Sequence, residues 1–252
     1  MTKNLICILL TFALLSSAIA QERIEFTADR PGASTGPTVV GHNVIQLEQG
    51  LQYDGEGGLG VFTFSNTLIR YGILNNMELR LGGDGFIYAH EGSKKFLPAF
   101  SGISLGTKIK CYEGKGLIPA VSVLADFAIP CTASNGFGVD YLAPSLYILC
   151  ENPISKWLSI GYNVGAEWDG CNLSPSAFVA VCLGFSAMEN LGCFVESYNY
   201  FNNEFGNIYA IDFGLNCMVS PRVQLDLAAN LDLRNPSNSW SISCGVAWQI
   251  NK

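Results

Sequence analysis

Few residues in this chain have the types and spacing that catalysis needs. Only His42 and His90 can act as neutral bases, and a serine hydrolase requires one of them hydrogen-bonded to its nucleophile. His90 stands three residues before Ser93 in the run His90-Glu91-Gly92-Ser93-Lys94-Lys95. A membrane-embedded lipid hydrolase would use such a pair; a solvated polar loop is the plainer reading. With neither a His-Glu-x-x-His motif nor a phosphate-binding glycine loop, no catalytic residue, cofactor or metal is assigned, and the chain reads as non-enzymatic.

A second group is chemically more suggestive. Glu48, Arg70, Glu78, Arg80, Lys108, Lys110, Glu167, Glu196, Asp212 and Asp226 fall on the polar side of segments whose other side is apolar. Lining a lumen, they would set its charge preference; the alternative is that they pair across a narrow interior and fill it. The cysteines divide in a similar way. Cys111, Cys150, Cys182, Cys193, Cys217 and Cys244 fall within strand-like segments, where cysteine acts as a small hydrophobe. Cys131 and Cys171 fall in successive long loops and are candidates for a disulfide in an oxidising compartment. No Cys-x-x-Cys spacing suggests a metal site.

The elements that must position these residues are strands. The clearest segments alternate with period two, and one face of each is fully apolar. Leu158, Ile160, Tyr162, Val164, Ala166 and Trp168 oppose Ser159, Gly161, Asn163, Gly165 and Glu167; Val223, Leu225, Leu227, Ala229 and Leu231 oppose Gln224, Asp226, Ala228, Asn230 and Asp232. The segments ending the chain and around Tyr209 and Met77 behave alike. The polar faces carry small residues and single charges rather than the lysine and glutamate of a soluble sheet, which suits a crowded polar interior with the apolar face toward lipid. Twelve strands are expected, near 43–53, 60–71, 76–84, 101–112, 117–128, 141–151, 157–168, 176–186, 191–200, 206–217, 221–231 and 239–250. The second, fifth, sixth, eighth and ninth alternate poorly. Short connections alternate with longer ones, notably 85–100 and 129–140, and an even count returns both termini to one side, expected to be periplasmic. Tyr53, Tyr71, Tyr112, Trp157, Trp168, Tyr200, Tyr209, Trp240 and Trp248 stand near strand ends, as interfacial girdles require.

Composition agrees with this class. Of 252 residues 49% are hydrophobic and 14% charged, with 27 glycines, far fewer charges than in an average soluble domain. The net charge of −7 excludes a nucleic-acid partner. Residues 1–20 read as a signal peptide, with Lys3, an apolar run from Leu5 to Leu15, and Ala18 and Ala20 ahead of a cut before Gln21; a retained anchor helix is the competing reading. Beyond them no apolar run reaches the length of a membrane helix. Residues 21–42, with Asp29-Arg30-Pro31-Gly32 and the turn formers Gly36, Pro37 and Gly41, are expected as a periplasmic N-terminal segment: a partial plug paired with lumen charges, or a disordered arm. Residues 43–252 are the expected all-β, transmembrane, antiparallel up-and-down barrel.

Thr27-Ala28-Asp29-Arg30-Pro31-Gly32, Val40-Gly41-His42-Asn43-Val44-Ile45-Gln46-Leu47-Glu48-Gln49-Gly50, Thr67-Leu68-Ile69-Arg70-Tyr71-Gly72 and Glu78-Leu79-Arg80 resemble the outer-membrane β-barrel "transporter" family of Bacteroidetes type, also called the MetA-pathway of phenol degradation family. Gly161-Tyr162-Asn163-Val164-Gly165, Phe194-Val195-Glu196 and Gln224-Leu225-Asp226 extend the likeness over most of the mature chain. The chain departs from usual barrels in ending Trp248-Gln249-Ile250-Asn251-Lys252 and in its cysteine content. The resemblance implies a porin-like barrel in the outer membrane of a Gram-negative cell, a channel or transporter for a small-molecule solute. Its other partners would be outer-membrane lipid and the outer-membrane assembly machinery. Two alternatives stay open: a structural or adhesive barrel with a filled lumen, and a secreted soluble β-sandwich that binds through its loops.

Overall fold

The computed structural model describes residues 26–56, 59–89, 96–204, 206–236 and 239–250. The expected signal peptide, and His90 with Ser93, lie outside the described residues. The β-branched and aromatic segments form β1 (Ile45–Glu56), β2 (Leu59–Leu74), β3 (Met77–Ala89), β4 (Phe96–Phe100), β5 (Ser104–Lys115), β6 (Ile118–Ala128), β7 (Ala143–Pro153), β8 (Leu158–Glu167), β9 (Ser176–Met188), β10 (Leu191–Phe201), β11 (Ile208–Ser220), β12 (Val223–Asp232) and β13 (Ser239–Gln249).

Neighbouring strands pair antiparallel, and β1 pairs with both β2 and β13, with Gln46 opposite Gln249 and Gly50 opposite Gly245, so the sheet closes on itself. Closure leaves no open edge. Residues 77–82 of β3 pair with β5 and residues 85–89 with β4, so β4 and β5 are one span interrupted at 101–103, and the thirteen strands make twelve spans. At the interruption Gly102 takes a positive φ of 99°, and the loop after β6 docks there through Ile129 N–H to the Ile103 carbonyl and Ser134 N–H to that of Phe100. The expected long loop 85–100 is therefore shorter: Phe86, Ile87 and Tyr88 continue β3 against Ala99, Pro98 and Leu97, as strongly β-forming residues tend to.

Ile250 N–H bonds the Ile45 carbonyl, so both ends of the barrel chain share one rim, here the terminal rim. Two-residue turns join the strands there at 75–76, 116–117, 189–190 and 221–222, and Gly116 supplies the positive φ that such a tight turn needs.

The alternation resolves into an inside and an outside. Val164 and Leu227 are about half exposed at 52% and 51%, while Arg70, Lys108, Glu48 and Glu78 are fully buried. Exposed leucine with buried lysine is stable only where the outer solvent is hydrocarbon. Tyr71, Tyr112, Trp157 and Trp248 stand exposed toward the terminal rim, Tyr53 and Tyr209 toward the opposite one. Tyr200 corrects the expected girdle. It shares the inward parity of Glu196 and packs in the lumen 4.9 Å from Phe178.

Candidate functional site

The lumen is occupied by the chain itself. The segment before β1, rich in Pro and Gly and hence without a strand ladder, runs through the barrel and offers its backbone and two adjacent charges, Asp29 and Arg30, to the inward side chains. Asp29 sits among three cations contributed by β2, β3 and β5: Lys108 Nζ at 2.7 Å, Arg80 Nη1 at 2.5 Å and Arg70 Nη1 at 3.4 Å. Burial alone would raise the Asp29 carboxyl, but Arg70, Lys108 and Arg80 together outweigh it and hold it well below the usual carboxylate range. Arg70 also forks onto Glu78 with two bonds of 2.8 Å and reaches Glu48 at 2.9 Å. Arg80 continues to Glu78 at 3.1 Å and Asp126 at 3.2 Å.

Arg30 extends the other way, to Asp226 at 3.2 Å and Asn66 at 2.8 Å. Its guanidinium lies where Gly50 and Gly245, paired across β1 and β13, have no Cβ. The segment's backbone is equally committed. Asp29 and Arg30 N–H donate to Glu48, Val40 N–H to Glu78, and Ala33 and Ser34 N–H, with the Ser34 hydroxyl, to Glu196. Thr35 exchanges two bonds with Asn163. Lys108 donates to the Gly36 and Thr38 carbonyls and Ser122 to that of Pro37. At the terminal rim a Cβ on Gly72 would meet the Gly41 carbonyl, so backbone passes directly over backbone.

Eight of the ten charges assigned to the lumen from sequence meet this segment or each other. Glu48, Arg70, Glu78, Arg80 and Lys108 form the central network, Asp226 holds Arg30, Glu196 holds Ala33 and Ser34, and Asp212 is the cross-strand partner of Glu196. Lys110 and Glu167 stand apart. Lys110 pairs with Glu113 near the terminal rim at 2.9 Å, and Glu167 accepts the Tyr147 hydroxyl near the other. Asn66, Ser122 and Asp126 are anchors that alternation alone did not single out, and Asn163, which alternation placed on the polar face of its strand, is a fourth.

Pro31 to Thr35 separate cavities on their two sides. Toward the terminal rim lies a cavity of about 220 Å³ bounded by Glu151, Ser159, Gly184 and Asn216. Toward the opposite rim lie two of about 150 Å³ each, one by Tyr198, Asp212 and Asn230 and the other by Tyr147, Leu149 and Phe178.

Sequence reasoning passed over one motif. Gly102-Ile103-Ser104-Leu105-Gly106 has the spelling of a nucleophile elbow, which requires a sharp strand-to-helix turn. Ser104 instead lies in β5, opposite Gly82 and Ala128. His42 is exposed and near Asn43, at the terminal rim. The disulfide expectation needs correction: Cys131 and Cys171 are both free and exposed. The part of the loop holding Cys131 is tied to Phe100 and Ile103, whereas the Cys171 loop is tied through Gly170 to Asp140 and Tyr141. Among the described residues no group of side chains has the make-up of a metal site.

A closed antiparallel barrel of twelve spans, apolar outside and charged within, defines an outer-membrane β-barrel. The chain belongs to the family described as "Putative MetA-pathway of phenol degradation", whose profile matches residues 28–250. No curated protein matches it in sequence. Among solved structures it is similar to the COG4313 outer membrane channel from Pseudomonas putida F1, with a TM-score of 0.62 and 10% identity over 88% of this chain and 99% of that one. It is also similar to the NanC porin (TM-score 0.59, 9% identity, 81% and 100% covered). A third is the KdgM porin in complex with disordered oligogalacturonate (TM-score 0.55, 9% identity, 82% and 99% covered). At such identities the likeness is one of fold.

Proposed function

We propose that the protein is a non-enzymatic channel for small solutes, constricted by its own N-terminal segment acting as a partial plug. The observation that carries this reading is the seat of Asp29 among Arg70, Arg80 and Lys108, with Pro31 to Thr35 lying between cavities on either side. Cations that would otherwise line the lumen are neutralised by the segment, so its position sets both the width and the field of the pore. The channel and porin folds among its structural relatives support the same reading. The terminal rim would face the periplasm, and the apolar outer surface would contact outer-membrane lipid.

Planar-bilayer recording tests it. The wild type should conduct weakly, and Asp29→Asn, which weakens the seat, should conduct severalfold more. A filled-lumen structural barrel is the second reading, favoured by how fully the central ion network is satisfied. It predicts no conductance from either protein.

A further inference from the structure

The cavity of about 150 Å³ beside Asp212 has a chemical character that the central network lacks. Its walls are Gln52, Tyr198, Asp212, Asn230, Ser241 and Ser243, with Pro31 to Ala33 closing it toward the terminal side. Asp212 is only 5% exposed, and its Oδ1 has no hydrogen-bond partner among the described residues. A buried carboxylate oxygen without a donor is costly and rare. Each nearby amide has one N–H engaged elsewhere. Asn230 Nδ2 donates to the Tyr198 hydroxyl at 2.5 Å and Gln52 Nε2 to Asp54 at 2.7 Å, which leaves the carbonyl oxygens of both amides as acceptors. The surrounding charge has one sign. Among the described residues no cationic side chain lines the cavity; Arg30, next to the lining residue Pro31, is held by Asp226 and Asn66. The register partner of Asp212 is Glu196, whose carboxyl group hydrogen-bonds that of Asp212 and takes further donors from Ala33 and Ser34.

From this lining we infer a recognition subsite for a compact ammonium group borne by a small organic solute. An ammonium supplies several donors and a positive charge at once, matching a wall whose carboxyl pair, Asp212 and Glu196, has an unpartnered oxygen and no cation beside it. The Tyr198 ring adds a surface that a cation tolerates. A hydroxyl brings one donor and no positive charge, and an anionic solute would be repelled by the carboxyl pair. The subsite deepens the channel reading by naming the class of solute, since it lies between the segment and the rim opposite the termini. Its occupancy requires no flux.

The test is equilibrium binding to the full-length protein in detergent at neutral pH, by calorimetry. The probes are ethanolamine, ethylene glycol and glycolate, which differ chiefly in the charge on one end. Ethanolamine should bind, with ethylene glycol weaker by about tenfold or more and glycolate not bound; tenfold corresponds to about 1.4 kcal/mol. Asp212→Asn should weaken ethanolamine by a similar factor while retaining heat-modifiable gel mobility. Gln52→Lys, which places its own ammonium in the cavity, should abolish binding and serves where the Asp212 variant fails to fold. Equal affinity for ethanolamine and ethylene glycol, unchanged ethanolamine binding in either folded variant, or no binding by the wild type would overturn the subsite. A wild type that binds ethanolamine but never conducts would overturn the channel reading and leave the subsite standing.

Discussion

Lys108 Nζ donates to the Asp29 carboxylate at 2.7 Å, joining residues 79 positions apart. Both side chains are almost wholly buried, so neither charge is compensated by water. The contact therefore couples the position of the N-terminal segment to the charge state of the barrel wall.

Asp29→Asn should release that coupling. Arg80 and Arg70 keep Glu78, Asp126 and Glu48 as partners, so the loss should stay at or below roughly 3 kcal/mol, the lower end of the cost of breaking a buried pair. The heat-modifiability midpoint should fall as conductance rises. An unchanged midpoint with unchanged conductance would mean that the seat holds nothing in place.

The acid dependence follows from the direction of the Asp29 shift. Its folded-state value lies below the ordinary carboxylate value of about 4. Its contribution is thus fully present above that ordinary value and is lost only as pH falls through the lower, folded value. Wild-type conductance should accordingly stay flat from neutral pH down to mild acid, and the Asp29 seat should open only in strong acid. A rise in conductance between about pH 7 and pH 5 would show that another group controls the segment.

Two glycines should respond unequally. A Cβ at Gly50 would meet the flexible guanidinium of Arg30, whereas one at Gly72 would meet the Gly41 backbone carbonyl. Gly72→Ala should cost more than Gly50→Ala, the difference falling within the roughly 1–3 kcal/mol of overpacking. Thermal gel-shift midpoints in one detergent provide the comparison, and a larger loss for Gly50→Ala would contradict the backbone crossing at the rim.

Val164→Arg tests sidedness. Val164 lies outward and half exposed within β8, where an arginine facing mid-bilayer costs about 2–4 kcal/mol. The same change at Leu117, 92% exposed in a terminal-rim turn, should cost about 0–1 kcal/mol. Folding titrations into lipid vesicles would separate the two, and equal tolerance would place Val164 away from lipid.

The two loop thiols should both react with maleimide in the folded protein, since Cys131 and Cys171 are exposed and unpaired. Mass spectrometry of the non-reduced digest should find each alkylated separately, while a linked peptide pair would restore the disulfide.

Much of this barrel was legible in the sequence. Period-two alternation is a local property of a strand, so Leu158 to Trp168 or Val223 to Leu231 declare their outward face without knowledge of any partner. Strand ends followed from turn formers, and most of the expected boundaries fall within about two or three residues of β1 to β13. The strands that alternated poorly are informative in retrospect. Leu124, Leu149, Phe178, Tyr198 and Tyr200 point inward, because an interior packed around a chain segment needs apolar filling on the same face as its charges. A rule that equates the inner face with polarity fails there.

Only the closed structure decided what the inward charges do. Sequence placed Arg70, Arg80 and Lys108 on the polar faces of their strands and Asp29 in a turn-rich segment ahead of the barrel, but electrostatic energy depends on separation in space. That separation exists only once β1 has met β13 and the segment has entered the lumen. The same closure merged β4 and β5 into one span by pairing both with β3, tied the Cys131 end of the loop after β6 to Phe100 and Ile103 while its other end met the Cys171 loop through Gly170, and left Asp212 Oδ1 without a donor among the described residues. Each of these is a contact between distant parts of the chain, which residue type and local spacing do not encode.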